Sequence, residues 1–320
     1  MNGIILLLLA AQTGVAPGPD AAENHLKLAE TYVEKHDYGK AIPELRLALK
    51  SNPQSKEAEG LLGEALLAQG YSGEAIPYLQ RSERLGLLGI ALTEEHHTPE
   101  AIETLLAALQ KNPNDPDLLF YLGKACGFLS KSSFDHLIQV APDSARAHQL
   151  LAESYQAQRQ YGPAESEFRK ALAENPVLPG IHLGIGLIKE EAGALASAET
   201  EFRAETKLSP GNAEAAWRLG SVLLREGHAR EAVNELERSD QLRPQMVETL
   251  YDLGKAYSAE KEPAKAEKAW LEVIALNDSC EQAASSHLRL SELYRKEGKG
   301  AEADKQLKRF REFQNGQPQN

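Results

Sequence analysis

The side chains best suited to chemistry are scattered along this chain of 320 residues. Its nine histidines and two cysteines form no motif of known mechanism. Glu94-Glu95-His96-His97 is the densest grouping of possible metal ligands, but four donors drawn from one short stretch are poorly placed to surround an ion. A phosphate-binding GxxxxGK[ST] loop, a GxGxxG turn after a strand, a GxSxG nucleophile elbow and an HExxH zinc helix are all missing. An enzyme would need acid, base or metal ligands that converge. The expectation is a protein without catalytic residues, metal or cofactor.

The elements that hold these side chains repeat. A Leu or Ile followed by a small residue recurs at Leu28-Ala29, Leu62-Gly63, Leu88-Gly89, Leu122-Gly123, Leu151-Ala152, Ile185-Gly186, Leu219-Gly220, Leu253-Gly254 and Leu290-Ser291. Five of the eight intervals are 34 residues, and a period of that size marks stacked repeats rather than two globular domains. Twelve residues after the small residue comes an alanine, at 41, 75, 101, 164, 198, 232, 266 and 303. Four further on stands a large apolar residue: Leu45, Leu79, Leu105, Phe168, Phe202, Leu236, Trp270 and Leu307. That i, i+4 pair shares one helix face, so each unit holds two amphipathic helices. Pro53, Pro113, Pro142, Pro176, Pro210 and Pro244 end second helices. One hairpin cannot bury its own apolar stripe, so stability comes from stacking.

The register also places the reactive side chains. Cys126 is in step with Tyr32, Tyr155 and Tyr257, which predicts a packing role between helices, and Cys280 falls in a distant loop beyond disulfide reach. His25, His148 and His182 share a packing position early in first helices, whereas His36, His96, His97 and His228 fall in turns.

Composition agrees with a folded acidic protein. Hydrophobic residues make up 42% and charged residues 26%, and the formal net charge is −12. Such a balance disfavours nucleic acid as a partner. No apolar run approaches the roughly 18–20 residues of a membrane-spanning helix. The Ile4–Ala11 run is an apolar core of signal-peptide size, although no Lys or Arg precedes it and Pro17 follows the small-residue site Gly14-Val15-Ala16. It predicts export, to the periplasm or beyond; the alternative is an apolar segment packed on the first helix, in a cytoplasmic protein.

These residues resemble the tetratricopeptide repeat family, in the manner of bacterial multi-repeat members that begin with a signal-like segment. The run Leu151-Ala152, Tyr155, Tyr161, Ala164, Phe168, Ala171, Pro176 carries the resemblance best, followed by Leu219-Gly220, Leu223, Ala232 and Leu236. The resemblance implies an all-α solenoid of antiparallel helix pairs in a right-handed superhelix, with a protein or peptide held in its concave groove. The expected layout is a signal-like segment and linker over 1–21, about nine repeats in one continuous array over 22–311, and a polar tail over 312–320. The locally basic last repeat, 284–311, reads as a solvent-facing cap, the alternative being a partner site.

Departures from the period concentrate in 80–140. The unit after Leu62 is eight residues short, with Gly86 the expected breaker, and in the unit after Leu122 Asp135 replaces the alanine. These read as drift, or as a change of curvature that splits the array. Near Cys280 three residues are inserted and Asp278 replaces the proline, while Lys189 stands where Tyr or Leu is usual and is expected to extend to water.

By the resemblance, the groove is lined by the residues two before the Leu and one after the small residue. Those positions give an apolar and aromatic run, Leu183, Leu187, Trp217 and Tyr251, with Lys255 and nearby Arg225 at its edge, and Tyr121 with Lys124 further up the chain. Aromatic anchors beside cations are typical of interface hot spots. The family's lysine and asparagine clamp for carboxylate termini is not reproduced, since Leu26 and Glu30 stand in its place. The leading expectation is a non-catalytic interaction scaffold. The alternatives are a subunit of a cell-envelope or secretion assembly acting through its convex face or ends, and a carbohydrate-binding groove built on Trp217 and Tyr251.

Overall fold

The computed structural model describes residues 19–316; the Ile4–Ala11 run lies outside the described residues. Among them are seventeen α-helices and no strands. They form two compact units, one ending at Leu137 and the other beginning at Ile138. The first unit contains the hairpins α1 (Pro19–Glu34) with α2 (Tyr38–Ser51), α3 (Lys56–Ala68) with α4 (Ser72–Arg81), and α5 (Leu85–Glu94) with α6 (Thr98–Lys111). The boundary falls inside α7 (Pro116–Val140). The second unit contains α8 (Ala145–Ala157) with α9 (Tyr161–Glu174), α10 (Ile181–Glu191) with α11 (Leu195–Leu208), α12 (Ala213–Arg225) with α13 (Ala229–Leu242), α14 (Val247–Ala259) with α15 (Pro263–Leu276), and α16 (Glu281–Lys296) with α17 (Gly300–Gly316).

The small residue closes each hairpin because a large side chain sixteen positions later occupies the space a side chain would need. A Cβ at Gly254 would stand 2.2 Å from the Trp270 indole, one at Gly186 2.4 Å from Phe202, and one at Gly63, Gly89 or Gly220 2.6 Å from Leu79, Leu105 or Leu236. The alanine four residues before each large residue is fully buried in every hairpin. Leu28 breaks the expected pattern: it is exposed although Ala29 beneath it is buried, because no preceding hairpin among the described residues covers it.

Turns are equally regular. Seven residues after the small residue the backbone takes a positive φ, at His36, Gly70, His96, Arg159, Gly193, Gly227, Lys261 and Gly298. Half of these are glycines, the residue that enters this region without a Cβ penalty. Second helices stop two residues before a proline, at Ser51, Lys111, Glu174, Leu208 and Leu242, and the residue between leaves the helical region, as at Asn175 (φ −143°, ψ 93°). Ser55, Ser144 and Asn212 then start the next first helices by accepting a hydrogen bond from the amide three residues on.

Three expectations change. The short unit breaks at Ser82–Arg84, where Glu83 has φ +59°, and Gly86 lies inside α5. The unit around Gly123 forms no hairpin, so there are eight hairpins instead of nine among the described residues. Ser130, in the turn position, stays helical, and the positions that elsewhere hold alanine and a large apolar residue are Asp135 and Gln139. Nothing lies within 4 Å of where a Cβ on Gly123 would stand, so the slot is unfilled and α7 continues for 25 residues. For the same reason Cys126 is exposed, not packed between helices.

Replacing Lys261 by Gly should raise stability by about 0.5–1 kcal/mol, since strain at positive φ outweighs the added freedom of the unfolded chain. Gly254→Ala should cost about 1–3 kcal/mol by overpacking against Trp270. Thermal or urea unfolding of the two variants reads both. The Cys126 thiol should react with a maleimide at the rate of a free peptide cysteine in the native protein; protection of that thiol would place a helix over it.

Candidate partner-binding face

Six of the residues expected to line a groove lie in the second unit, and Tyr121 and Lys124 lie in the first. Leu183 and Leu187 on α10, Trp217 on α12 and Tyr251 on α14 are half-buried against one cluster, which contains Leu219, Leu223, Leu250 and Leu253. First helices carry all four, because a 34-residue repeat returns equivalent residues to equivalent faces. Trp217 is held rather than free. Its indole Nε1 donates to Asp252 Oδ2 at 3.1 Å, and the Arg218 guanidinium lies 4.2 Å above the ring centre. Asp252, buried, also accepts from Lys255 Nζ at 2.8 Å, and that ammonium stands 5.2 Å from the Tyr251 ring centre. Arg225 is exposed and donates to Glu190 Oε1 at 2.9 Å. Tyr121 and Lys124 lie on α7 in the first unit, where Lys124 pairs with Glu94 at 2.7 Å and sits over the Tyr121 and Phe128 rings.

Two cavities open beside these residues. One, of about 550 Å³, is lined by Arg159, Leu187, Glu190, Arg218 and Arg225 among others. The other, of about 320 Å³, is lined by Leu224, Lys255, Arg289, Glu292 and Lys296 among others.

Several polar residues that shape this face were not singled out from the sequence. Asp252 and Arg218 reach Trp217 and Glu190 about one repeat away, contacts that no single-helix pattern records. Glu205, fully buried, takes the backbone N–H of Gly180 at 2.9 Å and so anchors the start of α10. A signal was nonetheless present. His25, His148 and His182 each hydrogen-bond through Nδ1 to the carboxylate nineteen residues on, Glu44, Glu167 and Glu201, at 2.6–2.7 Å, and His287 pairs with Gln306 in the same register. A constant offset of nineteen between a histidine and an acceptor is readable in the sequence once two hairpin helices are known to be antiparallel. Burial of Glu167 opposes its ionisation, but hydrogen bonds from Lys170 and His148 outweigh that and hold its pKa below the ordinary value.

Lys189 corrects an expectation. Its ammonium does not extend to water but binds Glu165 of the preceding second helix at 2.7 Å. Tyr257 and Tyr294, in the equivalent register, donate their hydroxyls in the same way to Glu237 and Glu267. Hydrogen bonds from Lys189, then from Arg169, hold the Glu165 carboxyl below its ordinary value of 4.5.

Three groupings bring possible ligands or acid–base groups together. Glu94 of the Glu-Glu-His-His run pairs with Lys124, and His96 packs edge-on against Phe128. Glu199, Glu226 and His228 place ligand atoms within 4.8 Å of one another, across a repeat boundary that the linear sequence hides. Glu199 is drawn down by the Arg203 hydrogen bond and Glu226 is pushed up by its carboxylate neighbour Glu199. Asp278, at the three-residue insertion, accepts from His287 Nε2 at 2.8 Å and from Arg309. With Nδ1 on Gln306, both nitrogens of His287 are occupied, and Asp278 ties α16 to α17.

Because the folded-state pKa of Glu165 is lowered, its contribution is present above about 4.5 and is lost as pH falls through the folded value. Lys189→Leu should therefore leave a smaller acid-side loss of stability than the native protein shows, measured by urea unfolding between pH 6 and pH 3. Identical acid limbs would mean that the pair adds nothing.

Comparison with known proteins agrees with this geometry. A family model described as tetratricopeptide repeat matches residues 26–86, 150–213 and 183–247. No curated protein matches the chain. Among solved structures, MamA 41-end from Desulfovibrio magneticus RS-1 superposes with a TM-score of 0.51 at 19% identity, over 55% of this chain and 97% of that one. YrrB, described as a TPR protein with an unusual peptide-binding site, superposes with a TM-score of 0.51 at 17% identity, over 57% of this chain and 93% of that one. At such identities the likeness shows the fold.

Proposed function

This chain belongs to the tetratricopeptide repeat family, and on that premise we propose that it is a non-catalytic scaffold which holds a peptide or protein segment against the first helices of its second unit. Members of such a repeat fold serve in general as protein-interaction scaffolds. The observation that carries the assignment to this face is the half-buried run Leu183, Leu187, Trp217 and Tyr251, bordered by Arg225 and Lys255 and flanked by two cavities. Half-buried aromatic and aliphatic side chains fixed by core contacts lose little entropy on binding, as anchors should. YrrB is described as having a peptide-binding site, and the shared fold supports a peptide ligand for this chain too.

Carbohydrate is the weaker reading. It requires an open aromatic face without carboxylates nearby, whereas Arg218 covers Trp217 and Asp252 binds its indole. No helix among the described residues is long and apolar enough to cross a membrane. Export on the Ile4–Ala11 run completes this reading and places the partner outside the cytoplasm.

Affinity capture with the native protein and with a Leu187→Ala/Tyr251→Ala variant of matched helicity tests the proposal. A partner retained by the native chain and lost by the variant is the expected result. An unchanged set of partners would move the binding surface away from these helices.

A further inference from the structure

Two cavities of the second unit, those on α12 and α16, are the same construction, repeated. Arg218 and Arg225 stand two before and five after Gly220 on α12, and Arg289 and Lys296 stand two before and five after Ser291 on α16. In each case the pair lines a cavity together with the preceding first helix, which supplies Leu187 and Glu190 in one and Lys255 and Ser258 in the other. No other first helix carries cations at both positions; on α14, between them, the positions hold Asp252 and Ala259. The basic character is therefore placed at two points, two repeats apart, in a chain whose net charge is −12.

These cations are incompletely neutralised. Glu190 is shared between Arg225, at 2.9 Å, and Arg218, at 3.4 Å, and the buried Arg218 Nε makes no hydrogen bond, with Glu214 Oε1 3.9 Å away. Arg159 adds a third guanidinium at the rim of that cavity. In the second cavity Arg289 pairs with Glu292 at 3.1 Å and Lys255 with Asp252 at 2.8 Å, while Lys296 makes no ion pair among the described residues. Guanidinium and ammonium groups with spare donors bind carboxylates.

We infer that the segment held on this face is an acidic peptide, with carboxylates at two points that enter the Arg218/Arg225 and Arg289/Lys296 cavities and apolar residues between them. The inference rests on the scaffold reading above and specifies its ligand. A nucleic acid fits less well. Its regular phosphates would meet Glu190, Glu191 and Glu292 between the cations, and it offers no apolar side chain for Leu187, Leu224 or Leu293.

Fluorescence anisotropy with the full chain tests this, using three labelled probes: a short Glu/Leu peptide, its Gln/Leu counterpart and an oligothymidine. The Glu/Leu peptide should bind best, and more weakly as salt is raised. An Arg225→Gln/Lys296→Gln variant, altered at two exposed residues and checked for helicity, should bind it about tenfold less tightly. Failure of the Glu/Leu peptide to bind, or equal binding of the oligothymidine, overturns the inference. So does equal binding of the Gln/Leu peptide with no effect of the charge variant. If a Tyr251→Ala variant then lowers the binding of both peptides, the scaffold reading stands and the acidic ligand alone is withdrawn.

Discussion

A large side chain seated on a residue that has almost none is the contact on which the rest of this structure depends. Trp270 on Gly254, Phe202 on Gly186 and Leu236 on Gly220 bring two antiparallel helices together at a distance that a single methyl group would prevent. The contact is local, sixteen residues apart, so each hairpin closes with a small loss of chain entropy. It also fixes the rotation of both helices about their axes. That rotation turns positions 183, 187, 217 and 251 to one face and makes that face recur from repeat to repeat.

Where the contact is missing, the hairpin is missing. Gly123 offers the slot, but Gln139 stands where a Leu, Phe or Trp is needed and Asp135 where the buried alanine belongs. A carboxylate in that position would have to be buried without a partner, at a cost larger than the contact could return. The chain continues as a single helix, and Leu129, Phe134, Ile138 and Val140 remain exposed along it. The division into two compact units falls on this helix, in agreement with the repeat-to-repeat additivity of such arrays.

Polar contacts do a second job. The histidine–acceptor pairs nineteen residues apart bind the two helices of one hairpin, while Lys189, Tyr257 and Tyr294 reach back to a glutamate on the hairpin before. On the proposed binding face the same economy leaves Trp217, Asp252, Lys255 and Tyr251 linked in one chain of contacts. Anchors held in this way are preorganised, and their ordering does not have to be supplied on binding.

The sequence by itself determined the helix pairs, the buried alanines, the proline stops and the small-residue slots, because each follows from contacts within a few turns of helix and repeats at a constant interval. It also placed Leu183, Leu187, Trp217 and Tyr251 on one face, since periodicity alone decides that. Tertiary structure decided the rest. The tether of Asp252 on Trp217, the pairing of Lys189 with Glu165 and the twin cavities of α12 and α16 join residues from different repeats. A charge that looks solvated within its own helix acquires a partner only when the next hairpin stacks, and no single-helix pattern records which charge that is. Cys126 shows the converse: its register predicted burial, but burial required a neighbouring helix that Gln139 and Asp135 do not allow to form.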